Sequence, residues 1–173
     1  MNKFFLNLGN QPLANNFLKR FDNKQIKYNL KLYFNTKTKL VSISKRVPSK
    51  QMFNSKYPYR SSMSDTMRKS FKNLSLKIKK KFKPNLLLEI GSNDGALIKN
   101  FKKKNVIGVE PCKNLAIITK MKGFNTYDKY WDFQLAKMLK QTHGEVDLVY
   151  AANTLTHISN LNDVFRSITY LLS

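Results

Sequence analysis

The chain has 173 residues, 42% of them apolar, which is enough to bury a core and too apolar for wholesale disorder. The net charge is +22, and residues 1–85 contribute +19 of it. No apolar run approaches the ~18 residues of a membrane span. A single cysteine, Cys112, and two histidines leave no basis for a disulfide scaffold or a structural zinc site, and they fit a reducing, cytoplasmic setting.

Residues 1–45 are expected to form short strands and turns. Tyr28 to Phe34 alternates apolar and polar side chains, Asn35 to Lys39 reads as a turn, and Leu40 to Ile43 as a returning strand. Pro48 and Pro58 punctuate a loop. Met63, Met67, Phe71, Leu74 and Ile78 recur at helical steps, predicting a helix over Ser64–Lys83 with Ser64 or Asp65 as N-cap. Its lysine run Lys77–Lys83 suits the solvated carboxyl end, and Pro84 stops it.

From Leu86 the pattern changes. Strands are expected at Leu86–Ile90, Val106–Val109, Phe124–Thr126 and Val146–Ala151. Helices are expected at Ala96–Lys104, Asn114–Met121, Gln134–Lys140 and Asn162–Leu172. Such alternation predicts an α/β unit with a parallel, Rossmann-like sheet covered on both faces. The expected organisation is a small α+β domain over 1–62, a basic linking helix over 63–84 and the parallel sheet over 85–173.

A parallel sheet places its ligand at the carboxyl ends of its strands. The first strand of the second half ends in Glu89-Ile-Gly91-Ser92-Asn93-Asp94-Gly95, where two glycines permit a tight turn and close backbone approach. The next strand ends in Glu110-Pro111, 19 residues after Gly91, the spacing of an acid that accepts hydrogen bonds from both ribose hydroxyls. The site is therefore one for a nucleoside-bearing cofactor. Asn93 stands where a dinucleotide fingerprint requires its second glycine, so a pyrophosphate is disfavoured. Glu-x-Gly-x-x-x-Gly with an acid after strand two resembles the class I S-adenosylmethionine methyltransferases.

Five segments narrow the resemblance: Leu8-Gly-Asn-Gln-Pro-Leu-Ala-Asn-Asn-Phe17, Tyr57-Pro-Tyr-Arg-Ser-Ser62, Glu89 to Gly95, Gly108-Val-Glu-Pro111 and Ala152-Asn-Thr-Leu-Thr-His-Ile158. In this order they resemble the sugar C-methyltransferase family, which methylates carbon 3 of nucleotide-linked keto-deoxysugars. The resemblance implies that Gly91 to Gly95 hold the methionine part of S-adenosylmethionine and Glu110 its ribose, with Glu89 and Pro111 also among the cofactor-binding positions, and that Asn153 faces the junction of cofactor and substrate. Tyr59 and His157 are the implied catalytic positions. The chemistry would be removal of a proton alpha to a ketone, then attack of the enolate on the methyl group.

The sequence departs from the family in three ways. The family's Cys-x-x-Cys falls on Asn35 and Thr38, so no zinc is expected. Only the first four strands of the sheet are expected, which leaves strand four as an edge that a second chain could complete. The family's histidine base has no counterpart, since His143 lies in an ordinary loop setting. A fragment, half of a split enzyme and a decayed remnant all fit, and a fragment is the favoured expectation. The alternative function is a basic nucleic-acid-binding module, with Phe53, Tyr57, Tyr59, Phe71 and Phe82 interleaved among lysines, or an RNA methyltransferase. The near-neutral second half opposes the first, and Ala151-Ala-Asn-Thr154 opposes the second.

Overall fold

A computed structural model describes all residues except Phe21, Asn23 and Ser173. The chain divides into two compact units, residues 1–52 and 53–173. Residues 53–62, assigned on sequence to the small N-terminal domain, therefore pack with the second unit.

The first unit is an antiparallel sheet in the order β1-β2-β3: β1 Asn2–Pro12, β2 Lys27–Asn35 and β3 Val41–Ile43, followed by one helical turn, α1 Ser49–Met52. The register sets Leu6 opposite Leu32 and Leu32 opposite Ile43, with irregularities in β1 between Phe4 and Leu6 and between Asn7 and Asn10. The β2–β3 turn is closed by the Asn35 side chain, whose Oδ1 accepts the N–H groups of Lys37 and Thr38 at 3.0 and 2.9 Å. This side-chain turn lets the following residues reach the left-handed conformation of Lys39 (φ 60°).

The second unit is α/β. Helix α2, Asp65–Lys81, starts at Ser64, whose Oγ accepts the Met67 N–H, and buries Phe71, Ser75 and Ile78. Four parallel strands follow, β4 Leu87–Ile90, β5 Val106–Val109, β6 Asn125–Tyr127 and β7 Leu148–Ala151, in the order β6-β5-β4-β7. Helix α3, Lys113–Met121, connects β5 to β6, α4, Phe133–His143, connects β6 to β7, and α5, Leu161–Leu171, follows β7. Alternation sorts the sheet's side chains into two layers. Leu88, Ile90, Ile107 and Val109 pack with Leu135 and Leu139 of α4 and Val164 and Leu171 of α5. Leu87 and Val106 pack with Ile78 of α2 and Ile98. The register aligns Ile90 with Val109 and Ala151, and Val109 with Tyr127, so all four strands end on one edge.

One expected element is absent. Ala96–Lys104 is not an α-helix but a series of turns with single 3-10 turns at Ile98–Asn100 and Lys103–Asn105. Its backbone hydrogen bonds are diverted. The Asn100 side-chain amide takes the carbonyls of Ala96 and Leu97 at 2.9 and 3.0 Å. The Asn100 side chain thus competes for carbonyls that a helix would pair with backbone N–H groups, which disfavours propagation. Strand β7 is an edge of the sheet among the described residues. No helix among the described residues is long and apolar enough to cross a membrane.

Candidate functional site

The aligned strand ends converge on the turn after β4. Gly91, Asn93 and Gly95 all take positive φ, at 75°, 51° and 84°. The N–H groups of Gly91 and Ser92 both donate to the Val109 carbonyl, at 2.8 and 3.0 Å, which ties the turn to the end of β5. A Cβ on Gly91 would run into the Thr154 side chain. Gly91→Ala therefore combines left-handed strain with overlap, and is expected to cost about 2–4 kcal/mol, measured by thermal or urea unfolding.

Three acids lie around this turn. The Glu110 carboxylate bridges two loops: Oε2 accepts the Asn93 N–H at 2.8 Å and Oε1 the Cys112 N–H at 2.9 Å. Burial raises its pKa, and those amides oppose the rise. Glu89 is 2% exposed, and its Oε2 is buried with no hydrogen-bond partner. Burial first, then repulsion from Glu110 and Asp94, pushes the Glu89 carboxyl well above the usual carboxylate range. The same field reaches the Tyr150 phenol, raised by burial and by Glu89. Ser92 Oγ is a second buried, unpartnered oxygen. Such a pocket is unfavourable for an anion and is relieved by a cation or by neutral hydrogen-bond donors.

The remaining sequence-predicted residues take different places. Asn93 and Asp94 commit their side chains to residues 59–62, not to the cleft. Tyr59 is 46% exposed on that same segment. Pro111 follows Glu110 at the start of the loop into α3. Asn153 is exposed at φ 51° beside Thr154, just beyond β7. His157 is exposed on a 3-10 turn with its ring 5.3 Å from that of Phe53. Sequence reasoning missed Ser61, Ser62, Thr154, Tyr150 and Asn114, whose Nδ2 donates to the Tyr57 carbonyl at 2.8 Å. The segment Tyr57–Ser62 carried the signal, but only its tyrosine was read.

The family model described as a methyltransferase domain matches residues 88–173. Residues 88–173 are thus similar to methyltransferase domains, of the class that takes S-adenosylmethionine. The C-methyltransferase NovU of Streptomyces niveus is 30% identical over 90 residues, which are 51% of this chain and 21% of that protein. The chain thus matches about a fifth of that relative's length. The solved plantazolicin methyltransferase BpumL in complex with SAH overlaps 60% of this chain and 42% of its own, at 14% identity and a TM-score of 0.46. The methyltransferase domain fits its cofactor chemically. The orphaned Glu89 Oε2 is an acceptor suited to an ammonium group. Each Glu110 oxygen retains a lone pair for a ribose hydroxyl. The Gly91 surface is covered by the Thr154 side chain, so the glycine there serves the packing of the turn against the residues after β7.

Proposed function

We propose that this chain carries the cofactor half-site of an S-adenosylmethionine-dependent C-methyltransferase whose substrate is a nucleotide-linked keto-deoxysugar. The observation that carries the reading is the pair of buried carboxylates at the ends of adjacent strands, Glu89 with an unpartnered oxygen and Glu110 bridging two loops. S-adenosylmethionine supplies an electrophilic methyl group on a cationic sulfonium when bound. The chain's own residues bind and orient it: Glu110 takes the ribose and Glu89 faces the ammonium end. Carbon as the acceptor is supported by the name of the relative NovU, a C-methyltransferase. The nucleotide-linked sugar rests on the five-segment resemblance in the sequence. In this reading Tyr59, Asn153 and His157 face the substrate side. A second chain or segment pairing along β7 would complete the sheet.

Isothermal titration of the purified chain with S-adenosylmethionine, with NAD as control, tests the reading. Saturable binding of S-adenosylmethionine and none of NAD is the expected result. A folded, monodisperse sample that binds neither would leave the turn as scaffold. Binding of single-stranded nucleic acid that falls steeply with salt and ignores the cofactor would favour the alternative set by the +22 charge.

A further inference from the structure

We propose that Asn93 and Asp94 are positioning residues, latching segment 57–62 beside the cofactor turn and joining it to Glu110. This rests on the cofactor reading above, and it gives the two residues a different role from direct cofactor contact. The Asn93 side chain pairs with the segment as a strand would. Its Nδ2 donates to the Tyr59 carbonyl at 3.2 Å, and its Oδ1 accepts the Ser61 N–H at 2.9 Å. Asp94 continues the pairing, with Oδ1 accepting the Ser62 N–H at 3.0 Å and Oδ2 the Ser62 hydroxyl at 2.5 Å. Asn114 holds the Tyr57 carbonyl at one end, and Arg68 donates to the Ser62 carbonyl at 2.6 Å at the other.

The latch is shielded while the segment's outer side chains are not. Ser61 is 8% and Asp94 4% exposed, against 46% for Tyr59. Hydrogen bonds to a buried carboxylate are among the stronger ones, and losing them leaves a buried charge unsatisfied. Asn93 is the joint. Its backbone N–H is bound by Glu110, its φ is left-handed at 51°, and its side chain faces the segment. Only a carboxamide both donates to one carbonyl and accepts from one N–H here, and asparagine tolerates the left-handed region better than other residues with a side chain. The bonds to Tyr59 O and Ser61 N flank the Tyr59–Arg60 stretch, so the latch sets where the Tyr59 ring projects. A ligand drawing on the Glu110 carboxylate acts on the same Asn93 amide.

Hydrogen exchange by mass spectrometry, read on a peptide covering 57–63, tests the latch without any cofactor. Asn93→Gly keeps the φ freedom and removes the amide. It is expected to speed exchange at Ser61 and Ser62 at least ~10-fold, with the rest of the sheet protected as before. Asn93→Asp, which keeps the acceptor, should restore the Ser61 part. Ser61→Pro is a second variant that leaves the turn untouched. Ser61 opens a 3-10 turn and Arg60 before it is extended (φ −125°, ψ 116°), so proline fits there while its N–H is lost. Both opening variants should weaken S-adenosylmethionine binding about 10-fold. Unchanged exchange at 61–62 in folded Asn93→Gly, together with unchanged exchange at 62 in folded Ser61→Pro, overturns the latch. Faster exchange with unchanged cofactor affinity overturns the joint to Glu110. If the unaltered chain binds no cofactor, the functional reading fails, while the exchange result still decides the latch.

Discussion

Glu110→Ala is expected to lower the affinity for S-adenosylmethionine by at least ~100-fold, effectively abolishing binding in a calorimetric titration. Two charge-assisted hydrogen bonds to ribose hydroxyls contribute about 1.5–3 kcal/mol each. The same substitution orphans the Asn93 and Cys112 N–H groups, which Glu110 now satisfies at 2.8 and 2.9 Å. An unsatisfied buried amide costs about 1–3 kcal/mol, so the variant should also unfold at a lower temperature. Glu110→Gln separates the two effects. Its carbonyl oxygen can keep one loop amide, and its NH2 cannot accept from a hydroxyl. It should retain most of the fold's stability and still bind weakly. Near-normal binding by a folded Glu110→Ala protein would sink the ribose assignment.

Glu89→Gln should move stability and binding in opposite directions. The folded-state pKa of Glu89 is raised above its unfolded value, chiefly by burial and then by Glu110. Glu110 is raised as well, again by burial first. For a raised carboxyl, the contribution to stability is complete below the unfolded pKa and is lost as pH rises through the folded one. The cofactor-free chain should therefore lose stability through these two groups as pH climbs above ~4.3, the ordinary glutamate value. Replacing Glu89 by the uncharged amide removes its part of that loss. We expect Glu89→Gln to be more stable than the unaltered chain at pH 8, by about 1 kcal/mol, with the gap closing toward pH 4. Cofactor affinity should fall about 10-fold at pH 8, because an ammonium group loses its counter-charge. Thermal melts and titrations at pH 5 and pH 8 read both effects. A variant that is less stable at pH 8 and binds normally would show that Glu89 is only a core residue.

The parallel sheet and the position of its ligand edge were legible because both rest on local chemistry. Continuous apolar strands at 87–90 and 106–109, glycines at 91 and 95, and an acid at 110 are properties of short windows. The helix expected at 96–104 was not legible as absent, because apolar periodicity does not register a side chain that competes for backbone groups. Asn100 turns its amide back on the carbonyls of Ala96 and Leu97. The segment 57–62 failed for the same reason on a larger scale. Asn93 and Asp94 meet it across 32 residues of sequence, and no spacing rule reaches that far. Strand β1 was obscured by its two irregularities, which destroy a clean period of two.

The missing helix has a consequence for the sign of the field at the site. An α-helix after the β4 turn would present about half a positive charge at its N-terminus, the feature that draws phosphates into dinucleotide sites. The turns at 96–101 align too few peptide dipoles to build one. What remains beside the turn are the acids Glu89 and Glu110, with no helix N-terminus to offset them, an arrangement that disfavours a pyrophosphate. On the proposed reading, discrimination between a sulfonium cofactor and a dinucleotide is written twice: once in the shape that Asn93 imposes, and once in the electrostatics left when residues 96–104 form turns instead of a helix.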